Sequence, residues 1–218
     1  MKHKLIVFDV DGTIVDEIGS IWIRLHEHLD LMDDKRRIAC YDKYYRGEVS
    51  YHEWAENDIK LWKEKGANKK VILEAIKDFK EMKGARKLIE TLKKNGFKIA
   101  VISGTDKTVI NYVYPDYKEL FDYYFFNEIL FDENGEITGI ETTNYDYEHK
   151  FTALKQIAEK EGIDLKECVF VGDSHNDVEI AKNSGLSIAF NCTSDELAKV
   201  SDIVIEKKDM REILKHIS

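Results

Sequence analysis

The sequence predicts an α/β protein with a Rossmann-like, mainly parallel sheet, helices on both faces and a small helical bundle inserted after the first strand. Three observations carry this prediction. Apolar runs end abruptly in polar clusters near residues 4–13, 97–105 and 168–177. Segments with helical apolar spacing separate these runs, and the first gap contains helical spacing only. Strand-then-helix order is typical of parallel sheets with right-handed crossovers.

The first apolar run reads as a buried strand that ends at Asp9. Asp11 follows two residues later, and Gly12 marks a sharp turn of the backbone. Open α/β sheets bind their ligands at this carboxyl edge of the strands. Two carboxylates so placed can serve one small site, one as nucleophile or metal ligand and the other as proton donor.

The segment after this strand has helical apolar spacing from residue 18 to residue 79, broken by turn signals at 33–34, 47–50 and 66–68. Three or four helices should therefore pack as a small bundle. We expect a core domain formed by residues 1–15 and 82–218, and a helical cap domain formed by residues 16–81. The cap should lie over the carboxyl edge of the sheet.

The rest of the chain returns to alternating strands and helices, with Asn134-Gly135 as a strong hairpin signal. The predicted helices cover 84–95, 106–112, 150–161 and 209–217, and the predicted strands cover 97–102, 123–131, 136–140, 168–172, 186–190 and 203–205.

Composition excludes several classes of protein. The net charge of −9 argues against a binder of nucleic-acid backbone, and no apolar run approaches the roughly 18 residues that span a bilayer. The N-terminus shows no signal-peptide pattern, and the three cysteines are odd in number and far apart. We expect reduced thiols, a cytoplasmic location and no nucleic-acid or membrane partner. A homodimer is one assembly that the sequence allows.

Polar clusters follow three buried strands, at Asp9-Asp11, at Ser103-Gly104 and at Asp173-Asp177. In a parallel sheet these strand ends share one edge, so the clusters can converge although they are far apart in the chain. Crowded carboxylates repel one another unless a cation compensates them. Mg²⁺ suits such oxygen ligands, and Lys150, at the start of the helix before the third strand, offers a positive side chain.

These motifs, in this order at matching strand ends, resemble those of the haloacid dehalogenase superfamily, in particular its phosphatases of the phosphoserine phosphatase type. The resemblance also covers the position and helical nature of the cap and the closing stretch 201–209. It implies a Mg²⁺-dependent phosphomonoesterase that acts on a small phosphorylated metabolite through an aspartyl-phosphate.

The resemblance assigns roles in the reaction. Asp9 matches the nucleophile, and Asp11 matches the acid/base residue that protonates the leaving alkoxide and then activates water. The Ser103 hydroxyl and the Gly104 amide match the groups that hold the phosphoryl oxygens, and Lys150 matches the cation that offsets their charge.

The resemblance also assigns a metal site and contacts to the substrate. Asp9, the Asp11 carbonyl and Asp173 match the Mg²⁺ ligands, with Asp177 behind them. Asn176 matches a contact on the phosphate side.

For the alcohol half of the substrate, relatives of this type use a glutamate after the first motif and a cap arginine. Glu17 matches the glutamate after a shift of one residue. Asp58 stands at the aligned arginine position, and Arg24 or Arg46 could replace that arginine. The cap is also rich in aromatic residues, most of which we assign to its core and some to the substrate pocket.

Two other functions remain open from the sequence. A phosphotransferase of the same fold would pass the phosphoryl group to an acceptor other than water, and a non-catalytic protein would keep the fold for binding. The presence of Asp9, Asp11, Lys150 and Asp173 together weighs against the binding protein. A dehalogenase would need neither the second aspartate nor the metal.

Overall fold

The computed structural model describes residues 2–143, 145 and 149–217. Its strands, in chain order, are β1 (Leu5–Phe8), β2 (Val15–Asp16), β3 (Lys80–Glu81), β4 (Lys98–Asp106), β5 (Tyr123–Phe131), β6 (Ile137–Glu141), β7 (Cys168–Gly172), β8 (Leu186–Phe190) and β9 (Ile203–Ile205). Its α-helices are α1 (Ile21–His28), α2 (Lys35–Tyr45), α3 (Tyr51–Glu64), α4 (Lys69–Ala75), α5 (Ala85–Lys94), α6 (Lys107–Val113), α7 (Tyr117–Leu120), α8 (Lys150–Glu161), α9 (Val178–Asn183) and α10 (Asp195–Val200).

Seven strands form one sheet in the order β6-β5-β4-β1-β7-β8-β9. The pairs from β5 to β9 are parallel, and only the edge strand β6 runs antiparallel, through the hairpin that it forms with β5. The predicted mainly parallel α/β sheet is thereby confirmed. Strand β1 lies at the centre, between β4 and β7, so its carboxyl end has a strand end on each side.

Alternate residues of β1 belong to the two apolar layers that sandwich the sheet. Ile6 and Phe8 join a large cluster that continues into the cap helices, whereas Leu5 and Val7 join a cluster with α8, α9 and α10. This division follows from the two-residue period of a strand. All four side chains are fully buried, which fixes the register of the central strand.

The segment between β2 and β3 contains helices α1 to α4, in agreement with the predicted bundle of three or four helices. Side-chain caps mark the starts of α3 and α4: Ser50 forms a capping box with Glu53 at α3, and Asn68 accepts a hydrogen bond from the Val71 amide at α4. The antiparallel pair β2–β3 joins the ends of this segment. Sequence reasoning missed this pair, because two-residue strands show no alternation that a pattern could reveal.

The chain end also differs from the prediction. Residues Met210–Lys215 form a 3₁₀ helix instead of the α-helix predicted over 209–217. Asp209 starts it by accepting a hydrogen bond from the Arg211 amide. The short helices α7, α9 and α10 lie in segments where no helix was predicted. Across the described ranges, no helix has the length and apolarity needed to cross a bilayer.

Replacement of Tyr114 by phenylalanine should lower the free energy of unfolding by about 1 kcal/mol, as expected for the loss of one buried hydrogen bond. The fully buried Tyr114 hydroxyl donates a 2.7 Å hydrogen bond to the Ile14 carbonyl, just after the first motif. Urea denaturation measures the effect. Tyr112→Phe is the matched control, because that more exposed hydroxyl donates a similar bond to the Lys77 carbonyl. An equal loss in both variants would contradict the argument.

Candidate active site

The ends of β1 and β7 bring three carboxylates together at the centre of the sheet edge. Asp9 follows β1, Asp173 follows β7, and Asp177 lies in the 3₁₀ turn after it. One oxygen from each of the three lies within 4.8 Å of the others, and all three residues are buried. The convergence predicted for residues far apart in the chain is therefore present in the structure.

Lys150, the first residue of α8, supplies the positive charge of this cluster. Its side chain is only 1% exposed, and its Nζ lies 2.9 Å from Asp9 Oδ1 and 2.7 Å from Asp177 Oδ1. A buried ammonium is stable only when paired, and here two carboxylates pair it. Lys150 thus ties Asp9, which follows β1, to the turn after β7.

Asp177 has both carboxylate oxygens engaged by the protein. Oδ1 accepts from Lys150, and Oδ2 accepts from the amides of Asp173 and Ser174 at 3.0 and 3.1 Å. Burial raises the pKa of Asp177 to about 6, although Lys150 acts against that shift. These bonds make Asp177 a support for the loop that carries Asp173.

Asp173 is the carboxylate most in need of a cation. Burial, followed by the charges of Asp9 and Asp177, raises its pKa well above the ordinary value. The Thr13 hydroxyl donates a 3.0 Å hydrogen bond to Asp173 Oδ1. A hard divalent cation bound between Asp9 and Asp173 would remove this repulsion, so the donor set fits the metal that the sequence motifs imply.

The Asp11 carboxylate binds the cap, whereas the Asp9 carboxylate binds Lys150. Its Oδ2 accepts a 2.9 Å hydrogen bond from the Ile21 amide, at the first residue of cap helix α1. Burial raises the pKa of Asp11 to about 7, even though the Ile21 amide favours the ionised form. A carboxyl group with this pKa can give up and regain a proton near neutral pH, as a general acid and base must.

The second motif lies at the end of β4, where Ser103 and Gly104 line the same cavity as Asp9. Two side chains hold the Gly104 carbonyl: Trp22 Nε1 donates from the cap at 2.9 Å, and Asn127 Nδ2 donates from β5 at 2.7 Å. Sequence reasoning assigned no role to Asn127. One signal in the sequence could have indicated a role for it: Asn127 is a polar residue within the largely apolar strand β5.

The cavity has a volume of about 240 Å³ and lies between the sheet edge and the cap. Drug-sized ligands usually occupy roughly 300–1,000 Å³, so this space suits a small metabolite. The sheet contributes Asp9, Asp11, Ser103, Gly104 and Asn176 to its lining. The cap contributes aromatic, acidic and basic side chains from α1, α2 and α3.

Glu17 lies outside this cavity, contrary to the substrate contact expected of it. Its carboxylate is half exposed and pairs with Lys80 Nζ at 2.9 Å, next to the β2–β3 pair. The backbone of Glu17 is left-handed, with φ of 66°, and this turn leads the chain from β2 towards α1. The structure therefore does not bring Glu17 to the other predicted site residues.

The two arginines expected to replace the missing cap arginine also lie elsewhere. Arg24 pairs with Asp78, and Arg46 pairs with Glu48, both at the surface and outside the cavity lining. Arg37 on α2 lines the cavity instead. Its position could not be read from the sequence, because only the packing of α2 against α3 decides which α2 residues face inwards.

With this geometry established, comparison with known proteins gives the family. A profile of haloacid dehalogenase-like hydrolases matches residues 3–185, and the chain belongs to that family. It is 33% identical over 217 residues to a phosphoserine phosphatase of Methanocaldococcus jannaschii, covering 99% of this chain and 98% of that protein. It is 29% identical to a phosphoserine phosphatase of Lactococcus lactis, over 98% of this chain and 94% of that one.

Solved structures agree with the sequence relatives. A phosphoserine phosphatase in a phospho-aspartyl intermediate analogue form superimposes with a TM-score of 0.76 and 30% identity, over 100% of both chains. A substrate-bound phosphoserine phosphatase gives the same TM-score with 29% identity. The chain is thus a phosphatase that resembles phosphoserine phosphatases, and the resemblance inferred from its motifs is confirmed.

Replacement of Lys150 by methionine should lower the free energy of unfolding by about 3–5 kcal/mol, because two buried carboxylates lose their partner. Chemical denaturation in the presence of a chelator measures this loss. Lys155→Met is the matched control on the same helix, where the lysine side chain is 58% exposed and its Nζ lies 3.9 Å from Glu159 Oε1. A Lys150 variant as stable as that control would contradict the buried-pair argument.

Asp11 should also make the stability of the metal-free protein depend on pH. Its pKa is raised from 3.8 to about 7, so in this window the folded protein holds a proton that the unfolded chain has lost. Stability should therefore fall as pH rises through the window and level off above it. Between pH 5 and pH 8 the Asp11 contribution to this fall is about 3 kcal/mol.

Denaturation of wild type and Asp11→Asn in chelator, at both pH values, measures this contribution. The variant keeps the shape of the side chain but cannot titrate. A fall of equal size in both proteins would show that Asp11 keeps an ordinary pKa.

Proposed function

We propose that the protein is a Mg²⁺-dependent phosphomonoesterase that hydrolyses a small phosphorylated metabolite through a phosphorylated Asp9. One observation carries this proposal: two aspartates of one motif line the same cavity in opposite electrostatic settings. Asp9 pairs with the Lys150 ammonium, whereas burial raises the pKa of Asp11 to about 7. This separation divides the roles of nucleophile and acid/base between them.

In the first step, an Asp9 carboxylate oxygen attacks phosphorus, and the bond from phosphorus to the alcohol oxygen breaks. Protonated Asp11 gives its proton to that leaving oxygen, which departs as a neutral alcohol. In the second step, Asp11 takes a proton from water as the water oxygen attacks phosphorus. The bond from phosphorus to Asp9 breaks, which releases phosphate and restores the carboxylate.

The remaining residues of the site orient the phosphoryl group and compensate its charge. The Ser103 hydroxyl, the Gly104 amide and Asn176 would hold phosphoryl oxygens, and their position in the lining of the cavity that contains Asp9 supports this role. Lys150 offsets negative charge that develops on the phosphoryl group. In-line displacement then depends on positioning and electrostatics more than on further covalent chemistry.

Asp9, the Asp11 carbonyl and Asp173 would hold the metal ion, and Asp177 would position Asp173 through its amide. Bound there, Mg²⁺ would neutralise the carboxylates and polarise the phosphoryl oxygens. The clustering of buried carboxylates with raised pKa supports this assignment, as does the oxygen-only chemistry of the donors.

We infer phosphoserine as one candidate substrate, because the relatives carry that name. The cap of this chain differs at Asp58, so the proposed substrate class is small phosphomonoesters as a group. The three free cysteines support the proposed cytoplasmic location, since reduced thiols are usual there.

Phosphate release from a panel of small phosphomonoesters tests the proposal. Release with Mg²⁺ should be lost with chelator and should fall to background in Asp9→Asn, since an amide cannot act as the nucleophile. Circular dichroism and thermal denaturation of the variant check that its fold is intact. Activity retained by a folded Asp9→Asn protein would refute the aspartyl-phosphate route.

Alcohol acceptors added to the same assay test the alternative function, a phosphotransferase. A hydrolase releases phosphate with water alone, whereas a phosphotransferase should release little until an acceptor is supplied and should then form a new phosphomonoester. A protein that does neither with any compound would contradict the proposed function and favour a binding role.

A further inference from the structure

The wall of the cavity in the cap contains a buried acid that the phosphoryl chemistry does not use. Asp58 on α3 lines the cavity and is 1% exposed. Its Oδ2 lies 3.4 Å from His26 Nε2, while its Oδ1 is buried and has no hydrogen-bond partner among the described residues. Such an oxygen is costly to bury, so its place in a cavity wall points to a bound donor.

His26 faces Asp58 from the neighbouring helix α1. It also lines the cavity, is 2% exposed, and neither ring nitrogen makes a hydrogen bond within the part of the chain that the structure describes. The ring of Trp62 packs edge-on against it, with ring centroids 5.5 Å apart. The two polar groups therefore form one incompletely bonded polar patch in the wall of the cavity.

Aromatic side chains share the cavity with this patch. Trp22, Tyr41, Tyr51 and Trp54 all line the cavity. The electron-rich faces of such rings attract cations, and quaternary ammonium groups are often bound in aromatic enclosures. A buried carboxylate together with aromatic walls is the combination that selects an organic ammonium group.

Arg37 is the basic side chain that could instead favour a carboxylate. Its Nε donates to the carbonyls of Leu31 and Met32 at 3.2 Å each, and its Nη2 donates to the Met32 carbonyl at 2.6 Å. Bidentate binding of a carboxylate along this edge would require the same donors. The protein's own backbone therefore occupies the Nε–Nη2 edge of Arg37, whereas Asp58 is a buried acid of the cap wall with one unpartnered oxygen among the described residues.

We propose that the alcohol half of the substrate carries an ammonium group that binds to Asp58 within the aromatic walls of the cap. The inference rests on the proposed phosphomonoesterase function and narrows its substrate class to phosphate esters of amino alcohols. The phosphate lies at Asp9 and the ammonium group at Asp58, since both residues line one small cavity. A carboxylate on the substrate is not required.

Steady-state kinetics with five probes test the proposal: phosphoethanolamine, phosphocholine, phosphoserine, glycerol 3-phosphate and phosphoglycolate. Wild type should prefer the ammonium compounds to glycerol 3-phosphate. In Asp58→Asn the ratio of kcat/KM between phosphoethanolamine and glycerol 3-phosphate should fall by about 10- to 100-fold, mainly through KM, as expected for a lost charge-assisted hydrogen bond. Thermal denaturation checks that the isosteric variant is folded.

Glu56→Gln is the matched control. It removes one negative charge from the same helix, but the Glu56 side chain is 61% exposed. The control should keep the wild-type ratio, which separates a contact in the cavity from the general charge of the cap.

Several results would overturn the inference and leave the phosphatase in place. These are equal use of ammonium and neutral esters, a ratio unchanged in Asp58→Asn, a preference for phosphoglycolate, or a strong preference for phosphoserine over phosphoethanolamine. In each case, metal-dependent phosphate release that Asp9→Asn abolishes would still support the proposed function.

Calorimetric titration tests the inference in the case where the proposed function itself fails. If no ester is hydrolysed, the proposed function is wrong, and binding of phosphoethanolamine and glycerol 3-phosphate to the wild-type protein decides the inference alone. Tighter binding of phosphoethanolamine would support it, and equal affinities would refute it.

Discussion

The ion pairs of the Lys150 ammonium hold the centre of this structure together. They join the end of β1, through Asp9, to the turn after β7, through Asp177, in a region from which water is almost excluded. This positive charge acts against burial and against the neighbouring carboxylates, which raise the pKa values of Asp173 and Asp177. In the proposed reaction the same contact would also hold Asp9 in position, so stability and chemistry would depend on one side chain at this point of the chain.

The cap is attached to the sheet through the reactive groups themselves. The Ile21 amide of α1 binds the Asp11 carboxylate, and the Trp22 indole binds the Gly104 carbonyl of the second motif. Asn127 contributes a third connection, because it donates both to the Tyr51 hydroxyl of α3 and to the Gly104 carbonyl. A displacement of α1 would break the hydrogen bond from the Ile21 amide to the Asp11 carboxylate, so the position of the cap and the placement of Asp11 are physically linked.

The two halves of the cavity obey different constraints. The half on the sheet contains the clustered carboxylates of Asp9, Asp173 and Asp177, which Lys150 pairs only in part. The half in the cap is built from aromatic rings with one incompletely bonded acid, Asp58, and its neighbour His26. Buried apolar side chains anchor α1, α3 and α4, whereas α2 has no buried side chain.

The sequence by itself determined the central sheet, the helical insert and the chemistry of the strand ends. Apolar periodicity is a local signal. The polar residues that interrupt it at Asp9, Ser103 and Asp173 mark the edge of the sheet where the strands end. The tertiary structure alone decided which cap residues face the cavity. Three predicted side chains pair with partners at the surface, namely Glu17, Arg24 and Arg46. Three others line the cavity, namely Arg37, Asp58 and His26. The reason is geometric: helical spacing defines an apolar face, but the side chains at its border point to solvent or ligand according to how neighbouring helices pack.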